Sequence, residues 1–245
     1  MVNHQPTPPS FRPLYDQIKI LITQSLIAGE WSPGEAIPSE IELAARFKVS
    51  QGTVRKAIDE LASENIVVRR QGKGTFVATH TEERSHFRFL RVMNNAGDTP
   101  YPDSIVVEFG RSKASAEVAR LIDLRPGATV FSIKRVLSYS GKPIILDEMC
   151  LPAILFKGMT REKLASYKGS FYSFYESQYG LRMIRAEERL SAVAADKETA
   201  VHLGIKTGVP LLCVDRIAYT YGDRPVEWRR GLCYTEEYSY QTELS

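Results

Sequence analysis

The chain has 245 residues, 43% hydrophobic and 25% charged, with a formal net charge of +3, which suits one large globular domain or two small ones. So small a net charge excludes any argument for nucleic acid from whole-chain basicity, and local charge must carry it. Three cysteines, Cys150, Cys213 and Cys233, stand far apart with no CxxC pair, which argues against a zinc site or disulfide framework and for a reduced, cytoplasmic setting.

Residues 1–10 are polar and Pro-rich, with no apolar signal core, and read as a disordered tail. No apolar run is long enough to cross a membrane. Pro13 opens a first helix with Leu14, Ile18, Leu21, Ile22 and Leu26 on one stripe, ending at Ala28-Gly29. Pro33-Gly34 and Pro38 mark a loop. Ser39 with Glu42 three residues on predicts a capping box, opening a helix that holds Ile41, Leu43, Ala44, Ala45 and Phe47. After a short turn at Lys48-Val49, Ser50 caps a third helix running to about Glu64. Residues 66–70 read as a strand, Gln71-Gly72-Lys73-Gly74 as a tight turn and Thr75-Phe76-Val77 as the returning strand. Three helices and a two-stranded ribbon in this order predict a winged helix-turn-helix over 11–77.

At 3.6 residues per turn, Val54, Ala57, Ile58 and Leu61 of the third helix form a buried stripe. Gly52, Arg55, Lys56 and Asp59 point outward, with Gln51 at the edge. Such a face near a helix N-terminus suits the major groove. Gly52 admits close backbone approach, Arg55 can pair bidentately with guanine, and Gln51 can pair with adenine. Ser50 and Thr53 suit phosphates, as does the helix N-terminus itself. Arg69, Arg70 and Lys73 add cations around a narrow Gly72 tip that fits the minor groove. Gly72-Lys73-Gly74-Thr75 lacks the spacing of a phosphate-binding loop.

Residues 78–85 read as a polar linker. The segment 86–245 contains an internal repeat: Leu124-Arg125-Pro126-Gly127 leads into strand 130–139, a Gly141-Lys142-Pro143 turn and strand 144–151. About eighty residues later, Ile205-Lys206-Thr207-Gly208 leads into strand 211–221, a turn at Gly222 and strand 226–234. Arg135 and Arg216 occupy equivalent places, and short helices (116–122 and 198–203) precede each unit. This predicts an antiparallel α+β domain built by duplication, its halves facing each other across a cleft.

The segments Pro38–Ala44, Val49–Ala57 and Arg70–Val77 resemble the GntR family of bacterial regulators, and the second domain is similar to the ligand-sensing UTRA domain of the HutC subfamily, with its chorismate-lyase-like fold. The resemblance implies a homodimer on a palindromic double-stranded operator, controlled by a small-molecule effector, most simply as a repressor, with no cofactor or metal. It brings Ser39, Glu40, Ser50, Gln51, Gly52, Thr53, Arg55, Lys56, Arg70, Gln71, Gly72 and Lys73 to the DNA. Two departures stand out: Ile41 and Gln51 replace arginines common in the family, so the operator is expected to differ from the common site. The effector residues it implies are Arg135, Asp147, Ser170, Tyr172 and Glu227. Leu137 stands where relatives carry a second arginine, and Tyr234–Tyr238 replaces an Arg/Asp-rich segment. Losing two cations argues against a sugar phosphate and for a small carboxylate or a neutral or aromatic compound. A plain Arg135–Asp147 ion pair and a Tyr172 in the core are the structural alternatives.

Two other classes fit the sequence less well. An enzyme is disfavoured because His4, His80 and His86 fall in the tail and linker and His202 in a short helix, with no base evident beside a nucleophile. An architectural DNA binder would not need so long a second domain.

Overall fold

The computed structural model describes residues 12–79, 91–95 and 102–242. The chain divides into two compact units, Met1–Thr79 and His80–Ser245. The expected tail, and the expected linker beyond Thr79, lie outside the described residues.

In the first unit, α1 (Leu14–Ile27) follows Pro13, whose fixed φ suits a helix entrance. It buries Ile18, Ile22 and Leu26, while Leu14 and Leu21 are exposed. The buried stripe is thus the single i, i+4, i+8 row, narrower than the five-residue stripe expected. α2 (Glu40–Phe47) has the predicted capping box: the Ser39 hydroxyl accepts from the Glu42 N–H, and the Glu42 carboxylate accepts from the Ser39 N–H at 2.8 Å. Lys48, in the left-handed region, ends it. Leu43 is its one fully buried side chain, and Ile41 is exposed. α3 (Gln51–Ser63) is capped by Ser50 and buries Val54, Ala57, Ile58 and Leu61 as its periodicity requires.

β1 (Val67–Arg70) and β2 (Gly74–Val77) form the antiparallel wing. The segment expected to be a plain loop, 33–38, adds to it: Ile37 N–H donates to Thr75 O and Val77 N–H to Glu35 O. Proline and glycine hide this third rung in the sequence. It ties the wing to the entrance of α2.

In the second unit, β3 (Val92–Asn94) pairs with β10 (Tyr238–Tyr240) as a short ribbon. The main sheet contains β4 (Asp103–Lys113), β5 (Thr129–Tyr139), β6 (Lys142–Pro152), β7 (Arg185–Ala194), β8 (Pro210–Thr220) and β9 (Arg224–Cys233). Its order is β4-β5-β6-β9-β8-β7, antiparallel throughout. Each repeat is therefore strand–helix–hairpin, with α4 (Ala116–Leu121) after β4 and α7 (Lys197–Leu203) after β7. The repeats do not face each other across a cleft. They join edge to edge where β6 pairs with β9.

Alternation assigns the two faces of the sheet. On one, α4 packs near Val130, Cys150 and Trp228, and α7 near Val136, Leu146 and Leu211. On the other, α5 (Arg161–Ser166) and α6 (Phe171–Tyr179) cover Phe131, Ile133, Met149 and Leu151, while the β3–β10 ribbon covers Leu137, Ile145 and Val214. Between these two apolar patches lies a layer of charge.

Candidate nucleic-acid interface and effector site

The outer face of α3 carries the expected residues. Gln51, Gly52, Arg55 and Lys56 are exposed and Thr53 is half-buried. The Ser50 hydroxyl accepts from Thr53 N–H and lies 2.9 Å from its hydroxyl. Arg55 keeps 59% of its side chain exposed, yet its Nε donates to Glu40 at 3.0 Å. Gln51 donates to the same carboxylate at 3.3 Å, and Arg69 donates to its other oxygen at 2.9 Å. Arg69 also pairs with Asp59 of α3 at 2.7 Å. Glu40, the first residue of α2, thus links both helices to the wing. Partial burial would push its carboxyl up, but hydrogen bonds from Arg69 and Arg55 outweigh that and hold it below the usual value.

Sequence reasoning grouped Arg69 with the wing cations, and the structure commits it to this internal network. Lys56 sits over the Tyr15 ring at 3.9 Å, and the Arg70 guanidinium over Phe76 at 4.7 Å. Ser39 spends its hydroxyl on the capping box. At the wing tip Gln71, Gly72 and Lys73 are exposed, and Gly72 has φ +70°, a conformation that favours glycine.

In the second unit the register brings four of the five expected effector residues together. Arg135 on β5 lies opposite Asp147 on β6, and its Nε and Nη2 reach Asp147 Oδ2 at 2.8 and 2.7 Å. The two residues are 5% and 3% exposed, so the pair is shielded from bulk solvent. The Arg135 guanidinium stacks on Phe171 at 4.1 Å. Glu227 on β9 is fully buried and accepts from Tyr172 Oη at 3.1 Å and Tyr175 Oη at 2.8 Å. Both expected alternatives are thus realised: the ion pair exists, and Tyr172 is buried. Ser170 instead caps α6, accepting from Ser173 N–H at 3.0 Å.

The sequence reading missed Arg229, Arg216 and Glu188. Arg229 sits two residues after Glu227 on the same strand face and reaches Glu227 at 2.9 Å and Asp147 at 3.5 Å. Arg216 on β8 lies opposite both Arg229 and Glu188, donates from Nε to Glu188 at 2.6 Å, and reaches Tyr172 Oη at 3.5 Å. The Glu-x-Arg alternation at 227–229 and the repeat equivalence of Arg216 with Arg135 were the available signals. They undo the argument from lost cations: three buried arginines meet here, supplied by β5, β8 and β9.

Burial would raise the Asp147 carboxyl, but Arg135 and Arg229 overcome it and hold the group below the ordinary aspartate value. Burial and then Glu227 push the Tyr175 phenol well up. Gly231, opposite Asp147, makes room for this layer: a Cβ there would lie 3.0 Å from Asp147 Oδ1. A cavity opens beside Asp147, Arg216 and Arg229, roofed by Val92 and Tyr240 of the ribbon.

Glu108, Glu198 and His202 offer donor atoms within 4.8 Å of one another on the opposite face. The Lys134 ammonium bonds Glu198 and lies 3.6 Å from Glu108 and 3.4 Å from Glu148. It occupies the cluster as its cation.

A capped recognition helix beside a cationic wing, followed by a domain with a buried charged cavity, defines a ligand-responsive DNA-binding regulator. Residues 14–77 match the family "bacterial regulatory proteins, gntR family" and residues 100–239 the UTRA domain. The chain belongs to the GntR family and carries a UTRA effector-binding domain. This architecture is consistent with the HutC subfamily, whose members are transcription regulators and not enzymes. The chain is similar to the ligand-binding domain of a GntR-family regulator from Bordetella bronchiseptica, at 45% identity and TM-score 0.64, covering 65% of this chain and 99% of that one. It is 29% identical over 234 residues to the uncharacterised HTH-type regulator YurK of Bacillus subtilis, covering 94% of this chain and 95% of YurK. It is 27% identical over 231 residues to the repressor NagR of the same organism, covering 93% of each. No described helix is long and apolar enough to cross a membrane.

Proposed function

We propose that the chain is a cytoplasmic repressor that binds a palindromic operator as a homodimer and is released by a small metabolite. A DNA-binding unit over 11–77 is joined through 78–85 to an effector and dimerisation unit over 86–245. α3 enters the major groove, where Arg55 reads a guanine. Gln51, Gly52, Thr53, Ser50 and Lys56 fill the rest of that face. Arg70, Gln71, Gly72 and Lys73 bring the wing to the minor groove. Ser39 and Glu40 act from the start of α2, Glu40 by aiming Arg55. In the second unit Asp147 lines the effector site, Arg135, Tyr172 and Glu227 form the charged layer that holds it, and Ser170 fixes the start of the helix that supplies Tyr172.

The observation that carries this reading is the Glu40 network, which holds an exposed Arg55 on the outer face of α3 and ties it to the wing. NagR is a repressor, as is the mannosyl-D-glycerate transport/metabolism system repressor of Escherichia coli, 28% identical over 230 residues. The test is a footprint on DNA selected from a random pool, with the mass of the complex measured by light scattering. Two protomers protecting half-sites about one helical turn (~34 Å) apart are expected. One protomer on one half-site would refute the dimer.

A further inference from the structure

The cavity beneath the ribbon is small, about 40 Å³, room for about three waters on the scale where one needs ~10–15 Å³. Its walls combine apolar side chains, cationic side chains and one carboxylate, that of Asp147. Val92, Leu137, Ile145 and Val214 are apolar, while Arg216, Arg229 and, from the ribbon side, Arg91 are cationic. Arg229 commits its terminal nitrogens to Glu227 and Asp147. Its Nε–H is buried and has no acceptor among the described residues. Buried donors without partners are rare, and each calls for an explanation. The formal charges point the same way. Arg135, Arg216 and Arg229 balance Asp147, Glu188 and Glu227, and Arg91 at the rim, its side chain 33% exposed, adds one positive charge in excess.

One acceptor carrying one negative charge answers both observations. A phosphate dianion would carry the site past neutrality in a buried setting, where unpaired charge is costly. A neutral sugar would leave the excess in place. We propose that this cavity is the anion subsite of the effector, and that the effector is a small monocarboxylate with a compact apolar body. Its carboxylate accepts from Arg229 Nε–H, and its body lies against Leu137, Ile145 and Val214. The proposal rests on the sensor reading of the second unit.

The cavity holds the carboxylate head, and the apolar body takes the place of the Val92 and Tyr240 roof. The roof is held by the Tyr240–Glu188 hydrogen bond and by Arg91 Nη1 donating to Thr242 Oγ1 at 2.6 Å. β3 is the first described strand after the DNA-binding unit. Ligand entry therefore acts directly on the chain that leads back to that unit.

The test uses the full-length chain in carboxylate-free buffer, with scanning fluorimetry and titration calorimetry. The probes are isovalerate, benzoate and phenylacetate, their three amides, and glucose 6-phosphate. At least one acid is expected to raise Tm by about 5–10 °C at a hundredfold excess over its Kd, and its amide to bind at least tenfold more weakly. Arg229→Lys keeps the charge but loses the Nε–H, and is expected to bind that acid at least tenfold more weakly, with its fold checked by circular dichroism. The acid–amide comparison needs no variant. No response to any acid, or equal binding of acid and amide, overturns the proposal. Binding of glucose 6-phosphate alone, lost in Arg135→Ala, overturns it while leaving the sensor reading intact.

Discussion

Replacing Asp147 by Asn keeps the shape of the side chain and removes its charge. Arg135 is 5% exposed and then has no anion in contact, and Arg229 loses one of its two carboxylates. Leaving one member of a buried ion pair uncompensated costs about 3–5 kcal/mol. At about 2–4 °C per kcal/mol for a unit of this size, the transition of the second unit should fall by roughly 6–20 °C in scanning calorimetry of the full chain. Replacing both partners, Arg135→Met with Asp147→Leu, should recover most of the loss, because an apolar pair of similar volume needs no desolvation. The pH dependence follows from the same pair. The Asp147 carboxyl is lowered in the folded chain. Its contribution is therefore fully present above the unfolded value of about 3.9 and is lost as pH falls through the folded one. Wild type should lose stability below about pH 4 by a component that the Asn variant lacks. An Asn variant within about 1 kcal/mol of wild type would contradict this and show that water in the neighbouring cavity already screens the pair.

Other predictions concern separate parts of the molecule. Ser39→Ala removes half of the capping box and should destabilise the first unit by about 0.5–2 kcal/mol, read as the midpoint of its chemical denaturation. An unchanged midpoint would mean water replaces the cap. Lys73→Ala should lower the salt slope of operator binding by about one unit without altering base preference; a changed preference would make Lys73 a base contact. Arg135→Ala should weaken effector-induced operator release at least tenfold in a gel-shift titration. An undiminished response would remove Arg135 from the site.

The first unit was legible because its signals are local. Caps at Ser39 and Ser50, the stripe of α3 and the Gly72 turn each report on residues a few positions apart. The third rung of the wing was hidden because Pro33, Gly34 and Pro38 look like loop while the main chain between them still bonds to β2. In the second unit the repeat found the inner hairpins but not their leading strands. β4 and β7 are edge strands with mostly exposed side chains, so neither shows clean alternation. The buried charge cluster was half legible. Arg135, Asp147, Tyr172 and Glu227 came from resemblance, whereas Arg216 and Arg229 join them only through the β6–β9 and β8–β9 registers. Pairing of that kind is invisible without the fold, so the count of cations in the sequence left out Arg216 and Arg229.

We propose above all that α3 reads sequence through Arg55, aimed by Glu40. Binding-site selection from a random DNA pool, run in parallel on wild type and Arg55→Ala, tests it most directly. Arg55→Ala is expected to bind the operator more weakly by about 1–3 kcal/mol and to relax preference at one base pair per half-site, a guanine in the wild-type site. Equal loss of affinity on every sequence would contradict it and make Arg55 a phosphate contact.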